Sequence, residues 1–346
     1  ARLLPHRQDD LITRMIDVPY YPDAQCPQWE AWLLHTCGGD VELAKYIQRI
    51  TGRTMFGGNP EQEAYFFYGP TMTGKTTFTR TIQKLLGPYA GQFDIELLLE
   101  HRGAHDANDA TPALADLHGV RMALGTEMPY NRRLNSSLFK AMCGSDQIAA
   151  RRLYQDPFTF TPQFIIWMFG NDRANIRPED EATFRRLRTI PFKVQVDPAS
   201  VNPMLVEEVF QPEFPGILRW AFDGAIEVYH DLNNRIPLPA VVIAEGKEYQ
   251  REVDYVQRFF DDCVEACPGE EISSSSMYQA FTTWVMREEN LRHPPINLRQ
   301  FGIRIAKLTN AETRRSGSKT YLMGWRVIPS VMLELQSDYE MNISFN

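Results

Sequence analysis

Apolar and polar positions along this chain fall into blocks of two periods. From Pro27 the apolar residues Trp29, Trp32 and Leu33 recur at helical spacing, and that helix ends near Cys37-Gly38-Gly39. A second helix is expected over 41–51, capped by Asp40 and stopped at Gly52. Gly57-Gly58-Asn59-Pro60 breaks the pattern. Ala64–Tyr68 is then an unbroken apolar run of strand length, and 77–86 returns to helical spacing until Gly87-Pro88. The segment 101–111 is polar and loop-like. A second buried strand is expected over 119–127, a helix over 135–143, and a hairpin from 148–153 and 158–164 joined by Tyr154-Gln155-Asp156-Pro157. Residues 164–171 predict a third strand and 190–194 a fourth.

Strands alternating with helices predict an α/β class with a parallel sheet over 61–235. A helical segment, 1–60, precedes it. The Pro-rich stretch 197–216 reads as a connector and 215–233 as a helix. From Tyr249 the pattern changes to helices over 249–266, from a Ser-rich cap at 273–276 to about 289, and over 297–308. Two short strands follow between Arg314 and Val327. Three helices and a β-hairpin predict a winged-helix-like domain within 236–346.

Chemistry enters at the end of the first strand. Gly69-Pro70-Thr71-Met72-Thr73-Gly74-Lys75-Thr76-Thr77 fits G-x-x-x-x-G-K-T, a phosphate-binding loop. Gly69 and Gly74 let backbone wrap closely around phosphates, and the next helix points its N–H groups at them. Lys75 can reach the outer phosphates and the Thr76 hydroxyl can bind Mg²⁺, so ATP with Mg²⁺ is the expected ligand. Two later strands end in polar residues. Glu127 stands where a triphosphatase needs a carboxylate for Mg²⁺ or the attacking water, and Asn171 stands where an amide can meet the γ-phosphate. Parallel sheets bind ligands at such strand ends. Among the arginines of Thr183-Phe184-Arg185-Arg186-Leu187-Arg188, one is expected to reach a neighbouring subunit. Arg186 is the first choice, Arg185 the second and Arg188 the third. Lys140, Arg151, Arg152 and Tyr154, on or before the hairpin, are candidate nucleic-acid contacts, since Arg tracks phosphates and an aromatic stacks a base.

Composition narrows the picture only a little. The 346 residues allow two or three domains, and 43% hydrophobic with 23% charged residues is ordinary for a globular chain. The net charge of −8 excludes coating nucleic acid with the whole surface but not a local basic lining. The cysteines (Cys26, Cys37, Cys143, Cys263, Cys267) read as free thiols of a cytoplasmic protein, with Cys263 and Cys267 on one helix face. No apolar run approaches the ~20 residues of a membrane span. The chain opens on Ala1 without the apolar core of a signal peptide or an initiator Met, so a processed chain or a fragment excised from a larger parent is expected.

In order, these motifs resemble the superfamily 3 helicases, in particular the primase–helicase proteins of phages, plasmids and poxviruses. The resemblance rests on the phosphate loop, Gly119-Val120-Arg121 with Glu127, Lys140 followed by Gly144–Arg151, then Asn171 and 183–192. Residues 23–29, 46–52 and 249–291 are also similar to that family. The resemblance implies an AAA+-like ATPase core, a homo-oligomeric ring, a hexamer, and movement on single-stranded DNA during replication. It places Lys75 and Thr76 in motif A, Glu127 in motif B, the 144–152 stretch on a DNA-contacting hairpin and Asn171 in motif C. Arg185 and Arg186 fall in the region of the trans-acting arginine. A phage or mobile element in a bacterial cytoplasm is the expected source, ahead of a virus of a eukaryotic host. A primase or polymerase domain, if the parent has one, lies outside these residues. Two departures stand out: Thr126 precedes Glu127 where many members have a second acid, and Gly144-Ser145-Asp146 replaces Gly-Gly-Asp. The rival reading is an origin-binding initiator that uses ATP only for assembly. A small-molecule kinase would need neither the hairpin nor the trailing domain.

Overall fold

The structure, a computed structural model, describes residues 7–100, 112–129, 132–178, 180–288, 291, 293–310, 312–317 and 319–329. The expected loop over 101–111 lies outside them. The chain divides into two compact units, Ala1–Tyr249 and Gln250–Asn346.

In the first unit, α1 (Pro27–Thr36) and α2 (Val41–Phe56) lead into β1 (Ala64–Tyr68). There follow α3 (Lys75–Leu86), β2 (Ala90–Phe93), α4 (Pro112–Asp116), β3 (Met122–Gly125) and α5 (Ser136–Cys143). The hairpin strands are β4 (Ile148–Ala150) and β5 (Phe158–Phe160). Then come β6 (Ile165–Gly170), α6 (Glu181–Arg186), β7 (Leu187–Pro191), α7 (Phe214–Ile226) and α8 (Ala240–Val253), the last four residues of α8 belonging to the second unit. The sheet runs β2-β3-β6-β1-β7 and every pairing in it is parallel. β1 is therefore flanked by β6 and β7, with Ala64 opposite both Ile166 and Leu187. Parallel order brings the C-terminal ends of all these strands to one edge.

The core explains the local choices. Phe78 of α3 stacks between Trp29 of α1 (5.8 Å) and Trp167 of β6 (5.7 Å), with Phe67 of β1 5.1 Å away. The helices before β1 thus share one core with the sheet. α2 does not stop at Gly52 as expected but runs on to Phe56. A Cβ on Gly52 would collide with the backbone of Ala221 and Ala225 in α7, so this glycine serves close helix packing rather than termination. The expected fourth strand begins earlier, at Leu187. The 197–216 connector contains a π-helical turn, Leu205–Phe210.

The second unit orders α9 (Tyr255–Cys263), β8 (Val264–Ser273), α10 (Ser274–Glu288), α11 (Leu298–Thr309), β9 (Thr313–Ser316) and β10 (Lys319–Val327). Its antiparallel sheet runs β8-β10-β9 over a core of Phe259, Phe281, Trp284 and Phe301. The Ser-rich cap forms as expected, Ser273 Oγ accepting from the Ser276 amide at 3.0 Å. Asn297 and Gln300 make a capping box on α11. The single helix expected over 249–266 is instead the end of α8, a break at Asp254, α9 and the start of β8. Cys263 therefore closes a helix while Cys267 lies in a strand, which corrects the shared helix face. All five cysteines are free. Burial pushes the Cys26, Cys37, Cys143 and Cys263 thiols up to about 12. Among the described residues no helix is long and apolar enough to cross a membrane.

Candidate active site

The loop Gly69–Gly74 leaves the C-terminal end of β1 and opens α3 at Lys75. Both glycines are needed there. Gly69 has φ +151° and a Cβ on it would strike the Phe192 carbonyl; Gly74 has φ +85° and a Cβ would come within 2.9 Å of the Trp32 ring. Thr73 is buried and its hydroxyl donates to the Pro70 carbonyl at 3.0 Å, while Thr71, Met72 and Thr76 face outward and Thr77 is half-buried.

Lys75 folds back into its own loop. Its Nζ donates to the carbonyls of Gly69 and Pro70, both at 2.6 Å, and to Oδ1 of Asn171 at 2.9 Å. Burial lowers the lysine pKa from its usual value, and the charge of Glu127 works against that fall. Asn171 in turn donates through Nδ2 to Oε1 of Glu127 at 3.1 Å. Two backbone bonds hold these strand ends in register: the Met128 amide to the Phe169 carbonyl at 3.1 Å and the Gly69 amide to the Gly170 carbonyl at 3.4 Å. A cation, an amide and an exposed carboxylate are thereby joined in one line. Such a set can hold an anionic phosphate at one end and orient a water at the other. It fits a triphosphate: a glycine-lined loop, a helix N-terminus, a lysine and an exposed threonine in the first turn. Among the described residues no three His, Cys, Asp or Glu side chains gather as a metal cage. Mg²⁺ characteristically binds through one or two protein groups plus phosphates, which Thr76 and Glu127 could supply.

The arginines separate. Arg186 is held within its own chain, donating to the Ala182 carbonyl at 3.0 Å and to Gln62 Oε1 at 2.5 Å. Arg188 lies in β7 and pairs with buried Glu63 at 2.6 Å. Arg185, at the end of α6, is exposed. The hairpin residues are also sorted. Lys140 lies on α5 and pairs with Asp180 at 3.4 Å. Arg152 pairs with Asp116 at 2.5 Å, and Arg151 Nε donates to the Gln155 carbonyl at 3.2 Å. Tyr154 stands fully exposed at the hairpin tip with φ +60°, beside Leu153 at 61% exposure. Sequence reasoning missed Leu153, whose signal was an apolar residue beside the turn. It also missed Asp180, which caps α6 and accepts from Thr183 N (3.2 Å) and Oγ1 (2.8 Å).

Comparison with known proteins gives the following likenesses. Residues 67–186 match a family described as "Family of unknown function (DUF5906)", and residues 1–38 match one described as "D5 N terminal like". A protein of Acanthamoeba polyphaga mimivirus named as a putative helicase is 25% identical over 71% of this chain and 27% of its own length. One of Frog virus 3 with the same description is 26% identical over 71% of this chain and 26% of its own. One of African swine fever virus named as a putative primase is 23% identical over 87% of this chain and 33% of its own. These relatives are viral proteins named as putative helicases or putative primases. This chain spans only about a quarter to a third of their length. In fold it is similar to the solved apo structure of the NrS-1 C terminal region (residues 305–718), with a TM-score of 0.53 at 10% identity, covering 89% of this chain and 77% of that one.

Proposed function

We propose that this chain is the ATP-hydrolysing core of a replicative DNA helicase of the superfamily 3 type. The observation that carries the reading is the hydrogen-bonded line Lys75–Asn171–Glu127 at the mouth of the Gly69–Gly74 loop. Lys75 and the loop amides would hold the phosphates, and the hydroxyl of Thr76 would be a ligand of Mg²⁺. Glu127 accepts the proton of the attacking water, and Asn171 senses the γ-phosphate. Mg²⁺, when bound, neutralises charge between the β- and γ-phosphates. The five-stranded parallel sheet supports an AAA+-like core, and AAA+-like cores work as rings, here a hexamer. In a ring an arginine from the next protomer completes each site. With Arg186 engaged at Gln62, exposed Arg185 takes first place for that role.

Single-stranded DNA is the proposed track, met by the β4–β5 hairpin through Tyr154 and Leu153, with Arg151, Arg152 and Lys140 behind them. The order α9-β8-α10-α11-β9-β10 supports a winged-helix-like second unit. The greater length of the viral relatives leaves room for a primase domain in a parent protein. The second reading, an initiator that uses ATP only to assemble, is favoured by the ion pairs that occupy Lys140 and Arg152. Strand displacement on a forked duplex with ATP separates them: the helicase reading requires release of the displaced strand, and assembly without release supports the initiator.

A further inference from the structure

One helix outside the expected motifs fastens the ligand edge of the sheet. Arg173, two residues after Asn171, is buried, with 6% of its side chain exposed. Its guanidinium lies 4.3 Å from the centroid of the Tyr68 ring and 5.2 Å from that of Tyr249, and it pairs with Glu245. Glu245 is equally buried and also takes Lys193 at 2.6 Å. The Tyr249 hydroxyl donates to the Ala174 carbonyl at 2.5 Å, and its ring meets Phe184 edge-on at 5.7 Å. Glu245 and Tyr249 are one turn apart on α8.

Each partner belongs to a different part of the proposed site. Tyr68 ends β1 and adjoins Gly69. Arg173 and Ala174 continue the segment that carries Asn171. Lys193 follows β7, and Phe184 precedes Arg185. One turn of α8 therefore joins four segments that hold the candidate groups. Burying a guanidinium and a carboxylate carries a desolvation cost that apolar residues would avoid. What the charged pair adds is directional placement: the Arg173 guanidinium pairs with Glu245 while it lies against both rings. Asn171 and Arg173 are two positions apart on one segment, so the contacts of Arg173 with Tyr68, Tyr249 and Glu245 fix the backbone that carries Asn171.

We infer that Arg173 is a positioning residue. It holds Asn171 against Lys75 and, through Glu245 and Tyr249, couples that hydrogen bond to the position of α8. The inference rests on the reading of Asn171 as part of an ATP site. The test is a double-mutant cycle on ATP hydrolysis, with hydrogen exchange of α8 as the second readout. Arg173→Ala should lower kcat about tenfold or more while KM changes less than about threefold. In an Asn171→Ala background the same substitution should change kcat less than about twofold, because the two act as one unit. Arg173→Lys keeps charge and burial, so it should fold and give a milder effect of the same kind. In the parent, a slowly hydrolysed ATP analogue should slow amide exchange in 240–253, and Arg173→Ala should abolish that response. Independent, multiplying effects of Arg173 and Asn171 would overturn the coupling, as would α8 exchange indifferent to nucleotide in the parent. Lys75→Ala separates the two levels. If it abolishes hydrolysis while Arg173→Ala matches the parent, this inference alone fails. If Lys75→Ala hydrolyses normally, the ATP site itself is misplaced and both fail.

Discussion

Lys75 and Asn171 meet through a 2.9 Å hydrogen bond although 96 positions separate them in sequence. The bond exists because β1 and β6 are parallel neighbours, Tyr68 opposite Gly170, so that both strands leave the sheet at one edge. Lys75→Ala should therefore remove both the cation proposed to hold the phosphates and the anchor of Asn171. The expected result is loss of hydrolysis and of most nucleotide affinity, read by steady-state turnover and by binding of a fluorescent ATP analogue.

Glu127→Gln keeps the hydrogen bond to Asn171 within reach but loses the proposed base. Hydrolysis should fall by roughly 10²–10⁴-fold, the usual worth of a general base, with nucleotide binding retained. Turnover at the parent rate would move the base elsewhere, with exposed Asp172 the next candidate.

Arg185→Ala should lose hydrolysis while still binding nucleotide, and mixing it with Lys75→Ala protein should restore part of the activity. Arg186→Ala should instead lower stability, since it removes the hydrogen bonds to Gln62 and Ala182. If Arg186→Ala is the variant rescued by mixing, the trans role belongs to Arg186 and not to Arg185.

At the hairpin, Tyr154→Ala should weaken single-strand binding by about 1–3 kcal/mol, the scale of one stacked base, with little change in salt dependence. Arg151→Ala/Arg152→Ala should flatten the slope of log K against log salt by ~0.7 for each phosphate that the pair no longer neutralises. An unchanged slope would mean that Arg152 serves only its pairing with Asp116, and attention would pass to Arg314, Arg315 and Lys319 of the second unit.

Asp180 links α5, which leads to the hairpin, with α6, which carries Arg185. Burial raises its pKa, but hydrogen bonds from Ser136 and Thr183 and the charge of Lys140 outweigh this and hold it below the usual 3.8. A carboxylate lowered on folding stabilises the fold above its unfolded pKa, and that stabilisation is lost as pH falls through the folded value. Asp180→Asn keeps a capping oxygen and drops the charge. It should lower the thermal midpoint near pH 7, and the difference from the parent should shrink as pH falls below the ordinary aspartate value of 3.8.

Much of the site was legible because its parts are local in sequence. Gly69, Gly74 and Lys75 lie within one loop, and Glu127 and Asn171 close apolar strands. Other features depended on distant partners. Nothing near Gly52 announces that Ala221 and Ala225 will press against it, so a helix stop was expected where a helix crossing exists. β2, Ala90-Gly91-Gln92-Phe93, is a short edge strand whose glycine and lack of alternation hide it. Arg173 reads as an ordinary basic residue after Asn171 until Glu245, 72 positions on, is seen against it. Likewise the acids that pair with Lys140 and Arg152 come from α6's cap and from α4, neither of which the hairpin sequence reveals.

The most direct test of the central claim is steady-state ATP hydrolysis with and without single-stranded DNA, measured on the parent and on Glu127→Gln in parallel with strand displacement from a forked duplex. The account predicts Mg²⁺-dependent hydrolysis that rises severalfold with single-stranded DNA, displacement of the duplexed strand, and loss of both in Glu127→Gln. Hydrolysis indifferent to DNA, with no strand displaced at any protein concentration, would contradict it.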